Sequence, residues 1–277
     1  MRASVKKGIL LALAVLLLGT AALFLVGTTD ELVTVTYTLD APEVDRPIRL
    51  ALVTDLHSCD YGEGQAELMD AIAAQDPHAV LLGGDIIDDD IPREKGEQFV
   101  TEVSKSYPTY YVSGNHEYRT EDMDGIKEFI RSAGAHVLEG DCIPLTTEGQ
   151  TIQICGMDDP EGIGQEAMDR QLTQAAAQAD PAHFTVLLSH RPEQIEHYRS
   201  FGAFDLILSG HAHGGQWRIP GLLNGLLAPN QGFFPKFAGG RYDFPDCTFL
   251  VSRGLAREST SIPRLFNSPE LVIIEIT

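Results

Sequence analysis

Five short, mostly apolar runs in this 277-residue chain end in the same few residue types. The run at 48–53 leads into Thr54-Asp55-Leu56-His57, and that at 79–82 into Gly83-Gly84-Asp85-Ile86-Ile87-Asp88. The run at 109–112 leads into Ser113-Gly114-Asn115-His116-Glu117, and that at 184–188 into Ser189-His190-Arg191-Pro192. The last, at 204–208, leads into Ser209-Gly210-His211-Ala212-His213-Gly214-Gly215-Gln216. Apolar runs this short, bounded by glycine and small polar residues, read as buried strands. A chain that repeats this arrangement is constrained to set its strand ends side by side.

A helical pattern follows each of the first three runs, near 65–75, 93–106 and 123–133. Strand–helix alternation of this kind predicts a largely parallel sheet with helices packed outside. The pattern then changes. Short strands near 136–138, 143–147 and 151–155, with a Glu148-Gly149-Gln150 turn, predict antiparallel pairing and a second sheet. A helix at 166–179 precedes the fourth run, and strands at 248–251 and 271–276 close the chain. Residues 33–39 alternate Val, Tyr and Leu with Thr, the signature of a half-exposed strand.

Asp55, His57, Asp85, Asn115, His190, His211 and His213 each follow the carboxyl end of a predicted strand. Ligands bind at that edge in open α/β sheets. A lone His-x-His is as often a pair of ordinary loop histidines, and the other four strand ends give it weight. Oxygen and imidazole donors without thiolate suit Mn, Fe, Co or Zn, and the sequence does not choose among them. Seven donors exceed the needs of one tetrahedral ion, so two ions sharing a carboxylate are the economical reading. Asp88 and Glu117 read as residues that orient ligands or cap helices. Asp88-Asp89-Asp90 reads as a solvated acidic loop, and His78, His136, His183 and His197 as ordinary histidines.

The ordered blocks Asp-x-His, Gly-Asp-x-x-Asp, Gly-Asn-His-Glu, a lone His and Gly-His-x-His resemble those of the calcineurin-like metallophosphoesterases. The resemblance runs over about 48–276. Asp-Leu-His-Ser at 55–58 and Ser252-Arg253-Gly254 with Pro269-Glu270 look like a membrane-associated bacterial phosphodiesterase subgroup, some members of which hydrolyse UDP-diacylglucosamine at its pyrophosphate. The resemblance implies a four-layer αββα sandwich of two mixed β-sheets flanked by helices. It implies that Asp55, His57 and His213 hold a first divalent ion, that Asn115, His190 and His211 hold a second, and that Asp85 bridges them. His116 would be the catalytic acid. Expected chemistry is hydrolysis of a phosphodiester or pyrophosphate by a metal-activated hydroxide.

Residues 9–26 form an apolar run interrupted only by Gly19 and Thr20, about 27 Å long as a helix. Arg2, Lys6 and Lys7 precede it, and Asp30 and Glu31 follow it. The expectation is a cytoplasmic basic segment at 1–8, a single-pass membrane anchor at 9–27 and an extracytoplasmic domain at 28–277. A cleaved signal peptide, cut near Gly19-Thr20-Ala21-Ala22, is the alternative, and Leu23 to Val26 beyond that point favour the anchor.

Asp and Glu outnumber Lys and Arg by 40 to 20, a net charge of −20. That argues against nucleic acid as a partner but not against a small phosphate ester, since bound cations reverse the local field. A phosphomonoesterase, a nuclease and a non-catalytic metal-binding scaffold are the rival functions, and a monomer is expected. Cys142 and Cys155 flank the predicted hairpin and could pair in an oxidising compartment, although free thiols are the preferred reading. Residues 217–240 are rich in Gly, Pro and apolar side chains without periodicity. They read either as a loop over the sheet edge or as a membrane-facing lip for a lipid-linked substrate, carried by Leu222, Leu223, Leu226, Leu227, Phe233 and Phe234 with Lys236 and Arg241 on a headgroup. Arg191 and Arg253 are candidate phosphate contacts.

Overall fold

A computed structural model describes residues 2–28, 30–257 and 262–277. Helix α1 (Arg2–Gly27) is followed by β1 (Val33–Leu39), β2 (Ile48–Val53), α2 (Ala66–Ala73), β3 (Ala79–Gly83), α3 (Glu94–Ser106), β4 (Thr109–Val112), α4 (Asn115–Arg119), α5 (Met123–Ser132) and β5 (His136–Val137). The second half comprises β6 (Cys142–Thr147), β7 (Gln150–Gly156), α6 (Pro160–Ile163), α7 (Gln165–Gln178), β8 (Thr185–Leu188), α8 (Ile195–Arg199), β9 (Leu206–Ser209), β10 (Leu227–Ala228), β11 (Gly232–Phe233), β12 (Gly240–Asp243), β13 (Thr248–Val251) and β14 (Glu270–Ile276).

Two mixed six-stranded sheets form, in the orders β1-β14-β2-β3-β4-β5 and β12-β13-β9-β8-β7-β6. Strands β2 to β5 run parallel, as do β7, β8, β9 and β13. Strand alternation builds the layers. Leu50, Leu52, Leu81 and Val112 face Ile154, Val186, Leu188 and Leu208 in a core between the sheets. Their neighbours Ala51, Val53, Val80 and Leu82 point the other way, under Leu68 and Ile72 of α2, Phe99 and Val103 of α3, and Ile126 and Ile130 of α5. On the far side Leu187, Ile207 and Phe249 lie under Met168, Leu172 and Ala175 of α7 and Ile195 and Tyr198 of α8. The result is the four-layer αββα sandwich, and the elements read from the sequence stand within a residue or two of their expected ends.

Two expectations are corrected and a third is refined. Cys142 and Cys155 are not free thiols but a disulfide. The β6–β7 register sets the two residues directly opposite, with Cα atoms 3.9 Å apart, so the hairpin itself delivers one sulfur to the other. Residues 217–240, expected as a loop or lip, hold regular pairing as well: β10 and β11 form a small antiparallel pair, and the segment ends in β12 on the edge of the second sheet. Arg191 is not a free phosphate contact, because it is buried and committed: its Nε and Nη2 bind Asp159 and Glu161, and its Nη1 donates to Asn230 and stands 3.1 Å from His211 Nε2, while Arg253 binds Glu270 through Nε.

The helix stretch Lys6–Gly27, 22 residues, is long and apolar enough to cross a membrane. Its last turn touches the domain. The Phe24 ring meets Trp217 edge-on at 5.5 Å, and the Phe266 amide donates to the Gly27 carbonyl at 2.6 Å.

Candidate metal centre

Strands β2, β3, β4, β8 and β9 all end at one edge, and the loops beyond them carry the seven sequence-predicted donors. All seven meet there. Asp55, His57 and His213 bring one donor atom each within 4.8 Å of one another, and so do Asp85, His190 and His211. Asp85 Oδ2 lies 3.0 Å from His190 Nε2 and 3.7 Å from His57 Nε2, between the two groups. The Asn115 carboxamide reaches to 2.9 Å from His211 Nδ1. Five of these residues, Asp55, His57, Asp85, His211 and His213, take left-handed backbone with φ between 46° and 65°. That conformation is sparse for residues other than glycine, and it clusters at functional sites. Here it turns the chain sharply as each strand ends. Two glycines make room for the ligands. Gly84 has φ +88°, and a Cβ there would stand 2.6 Å from His190 Nδ1, while a Cβ on Gly114 would stand 2.1 Å from Asp85 Oδ1.

Three of the four imidazoles, His57, His190 and His211, are oriented through the nitrogen they do not turn to the cluster, while His213 Nδ1 is buried without a partner. His57 Nδ1 donates to Asp88 Oδ2 at 2.6 Å, which leaves Nε2 bare toward His213 Nε2, 3.3 Å away. His190 Nδ1 donates to the Gly83 carbonyl at 2.9 Å, freeing Nε2 toward Asp85. His211 Nε2 donates to Asn230 Oδ1 at 2.8 Å, and its Nδ1 stands 3.2 Å from His190 Nε2. Fixing the tautomer through an outer partner is how proteins prepare histidine ligands. Burial holds His211 and His213 well below the usual histidine range, so both present lone pairs. Burial would lower His190 as well, but the Asp85 carboxylate outweighs it and pushes His190 up to about 10.

The carboxylates are prepared in the same way. Asp55 Oδ1 accepts from the His211 amide at 2.9 Å, and Asp85 Oδ1 from the His116 amide at 2.8 Å. Asp55 Oδ2 is buried without a hydrogen-bond partner, and Asp85 Oδ2 faces the His190 and His57 nitrogens alone. A bare, buried carboxylate oxygen on Asp55 and imidazole nitrogens turned inward on one another are costly together, unless cations lie among them. The donor set therefore fits divalent metal ions.

His116 stands at the mouth, its side chain 24% exposed. Its Nδ1 is bound by Asp89 and lies 3.4 Å from Asp88 Oδ2. Burial works to lower His116, but the Asp88 hydrogen bond and the charges of Asp85, Asp89 and Asp88 prevail and push it up to about 9. Asp88 is therefore not part of a solvated acidic loop: it is 5% exposed and wedged between two histidines. Glu117 points away from the cluster and accepts the backbone amides of Asp85, Ile86, Ile87 and Gly114. Asn230 was not among the residues singled out from the sequence. It lies in Pro229-Asn230-Gln231-Gly232, which reads only as turn chemistry.

A four-layer sandwich with this donor set at its strand ends defines a metal-dependent hydrolase of phosphoric esters. The chain belongs to the calcineurin-like phosphoesterase family, whose model matches residues 48–215. The family uses divalent metal ions. Over 259 residues the chain is 27% identical to the Bacillus subtilis protein YpbG, covering 93% of this chain and 92% of that one. It is 27% identical to the Escherichia coli phosphodiesterase YaeI, covering 83% and 82% of the two chains. Other curated relatives are longer, and the chain spans 46% of their length. Among solved structures, a 5′-nucleotidase precursor from Thermus thermophilus superposes with a TM-score of 0.51 at 14% identity, over 76% of this chain and 50% of that one, a likeness of fold alone.

Proposed function

We propose that the protein is a membrane-anchored phosphodiesterase or pyrophosphatase with a two-metal centre, its domain outside the cytoplasm and its substrate lipid-linked. The observation that carries the two-metal reading is the position of Asp85 Oδ2 between the His57 and His190 nitrogens, with two further donors beyond each, Asp55 and His213 on one side and Asn115 and His211 on the other. Asp55, His57 and His213 would hold one ion, Asn115, His190 and His211 the other, and Asp85 both. Bound there, two divalent ions supply an activated water and neutralise phosphoryl charge.

The chain's own residues do the rest. Asp88, Gly83 and Asn230 keep the imidazoles aimed inward. His116, held by Asp89 through Nδ1 and carrying a proton near neutral pH, offers Nε2–H to a leaving oxygen. Support for a lipid-linked substrate comes from a cavity of about 200 Å³ lined by Gly215, Gln216, Trp217, Leu226, Leu227, Phe233 and Ile262, which begins two residues past His213. The disulfide, and Arg2, Lys6 and Lys7 at the start of α1, support the extracytoplasmic side for the domain.

The test is turnover of bis-p-nitrophenyl phosphate, p-nitrophenyl phosphate and a diacylglycerol-linked pyrophosphate by metal-loaded protein and by Asp85→Ala. Hydrolysis of the diester and pyrophosphate, lost in Asp85→Ala, is expected. Preference for the monoester would replace this reading with a phosphomonoesterase, and equal activity in Asp85→Ala would end the two-metal proposal.

A further inference from the structure

The segment between the metal centre and the end of α1 exposes large apolar side chains. Leu222 is 82% exposed, Phe233 and Phe234 each 69%, and Ile219 50%. Side chains of this size are ordinarily turned inward, and a contiguous exposed group marks a contact surface. The exposure continues onto α1, where Leu25 and Val26 are 81% and 76% exposed.

Trp217, the only tryptophan in the chain, joins the two regions. Its ring meets Phe24, its indole N–H donates to the Pro263 carbonyl at 3.0 Å, and its backbone pairs with Leu265. From Lys6 to Gly27, α1 spans about 33 Å, close to the thickness of a bilayer's hydrocarbon core, about 30 Å. If α1 crosses the membrane, Phe24 and Gly27 mark the lipid boundary, and Trp217 stands at it. Tryptophan is enriched at that depth because its ring is apolar and its N–H is polar. Ile219 lies two residues beyond, in a tight turn closed by Leu223, whose tip is Leu222. Phe234 is tied back to Leu226 by its amide. The chain's charge is −20 although Arg2, Lys6 and Lys7 lie before the anchor, so the domain would be repelled by an anionic membrane surface, and apolar insertion rather than basic attraction has to hold this face down.

We infer that residues Ile219, Leu222, Phe233 and Phe234 dock into the outer leaflet of the membrane that α1 spans, fixing the domain face-down beside its own anchor. The inference rests on α1 being an uncleaved anchor. Its consequence for the site follows from chain length. His213 is four residues before Trp217, at most about 14 Å away even when extended, so the metal centre is held at the height of lipid headgroups.

The experiment uses the full chain reconstituted in phosphatidylcholine vesicles. In a Trp217→Phe/Leu222→Trp variant the sole indole reports on the loop tip, a site exposed enough to accept it. The expected result is blue-shifted emission that acyl chains brominated near the headgroup quench and that aqueous acrylamide does not. A companion variant, Ile219→Ser/Leu222→Ser/Phe234→Ser, which leaves the cavity lining intact, should stay in the membrane through α1 and keep its turnover of soluble diester, while losing most of its turnover of a vesicle-embedded pyrophosphate. Extraction of the wild-type chain by alkaline carbonate would overturn the anchor and the docking with it. A carbonate-resistant chain whose tip indole is open to acrylamide and untouched by brominated lipid would overturn the docking alone.

Discussion

One buried carboxylate, Glu117, keeps two of the ligand loops in place. It accepts the amides of Asp85, Ile86 and Ile87 after β3 and of Gly114 after β4. In Glu117→Ala these amides lose their acceptor in a dry site, at roughly 1–3 kcal/mol for each that water does not reach. A loss on the order of 4 kcal/mol in urea unfolding is expected, and a change under 1 kcal/mol would show the loops to be held otherwise. Asn230 acts on one ligand only. Asn230→Ala frees His211 to rotate or change tautomer, and outer-partner losses of this kind cost about 10–100-fold in metal affinity. Calorimetric titration with Mn should show one of two binding steps weakened by that factor and the other unchanged. His116→Ala removes a proton donor without removing an expected ligand. Its turnover should fall about 10²–10⁴-fold at full metal content; a parallel loss of metal would make His116 a ligand instead.

At the scale of elements, the β6–β7 hairpin sets a redox prediction. Cys142 and Cys155 are paired, whereas Cys59 and Cys247 are buried thiols. Burial, helped by Asp246, pushes the Cys247 thiol up to about 11, so at pH 8 only about one part in a thousand is thiolate. Alkylation of the denatured, unreduced protein should therefore mark two cysteines and that of the reduced protein four, while the native protein reacts slowly at Cys247. Four marks without reduction would place the domain in a reducing compartment. The strands that carry the ligands were legible because they are continuous apolar runs punctuated by glycine, and the metal-facing residues because each sits where such a run stops. The pairing of Cys142 with Cys155 depends on register, which two short strands do not announce. The residues that aim the ligands were less legible. Asp88 reads as a residue that orients a ligand, but the histidines it holds, His57 and His116, are set only by the fold. Asn230 reaches His211 across 19 positions from a turn whose composition specifies only a bend.

At the scale of the whole molecule, the site draws on both sheets, since β2, β3 and β4 belong to one and β8 and β9 to the other. Asp85 and His57 come from the first sheet, His190, His211 and His213 from the second, so ions bound among them tie the sheets together. An ion that binds only the folded chain stabilises it by RT ln(1 + [L]/Kd), about 2.7 kcal/mol at 100 times Kd. For a chain of this size each kcal/mol raises the melting temperature by about 2–4 °C, so saturating Mn should raise it by roughly 5–10 °C and chelation should reverse the gain. Asp85→Asn keeps the shape of the side chain but removes the shared charge, and should abolish most of the metal-induced rise while still unfolding cooperatively. A full rise in Asp85→Asn would mean that the stabilising ion sits elsewhere, or in one half-site alone. A half-sized rise would mean that Asp85 serves one half-site only, and would end the reading of Asp85 as the donor they share.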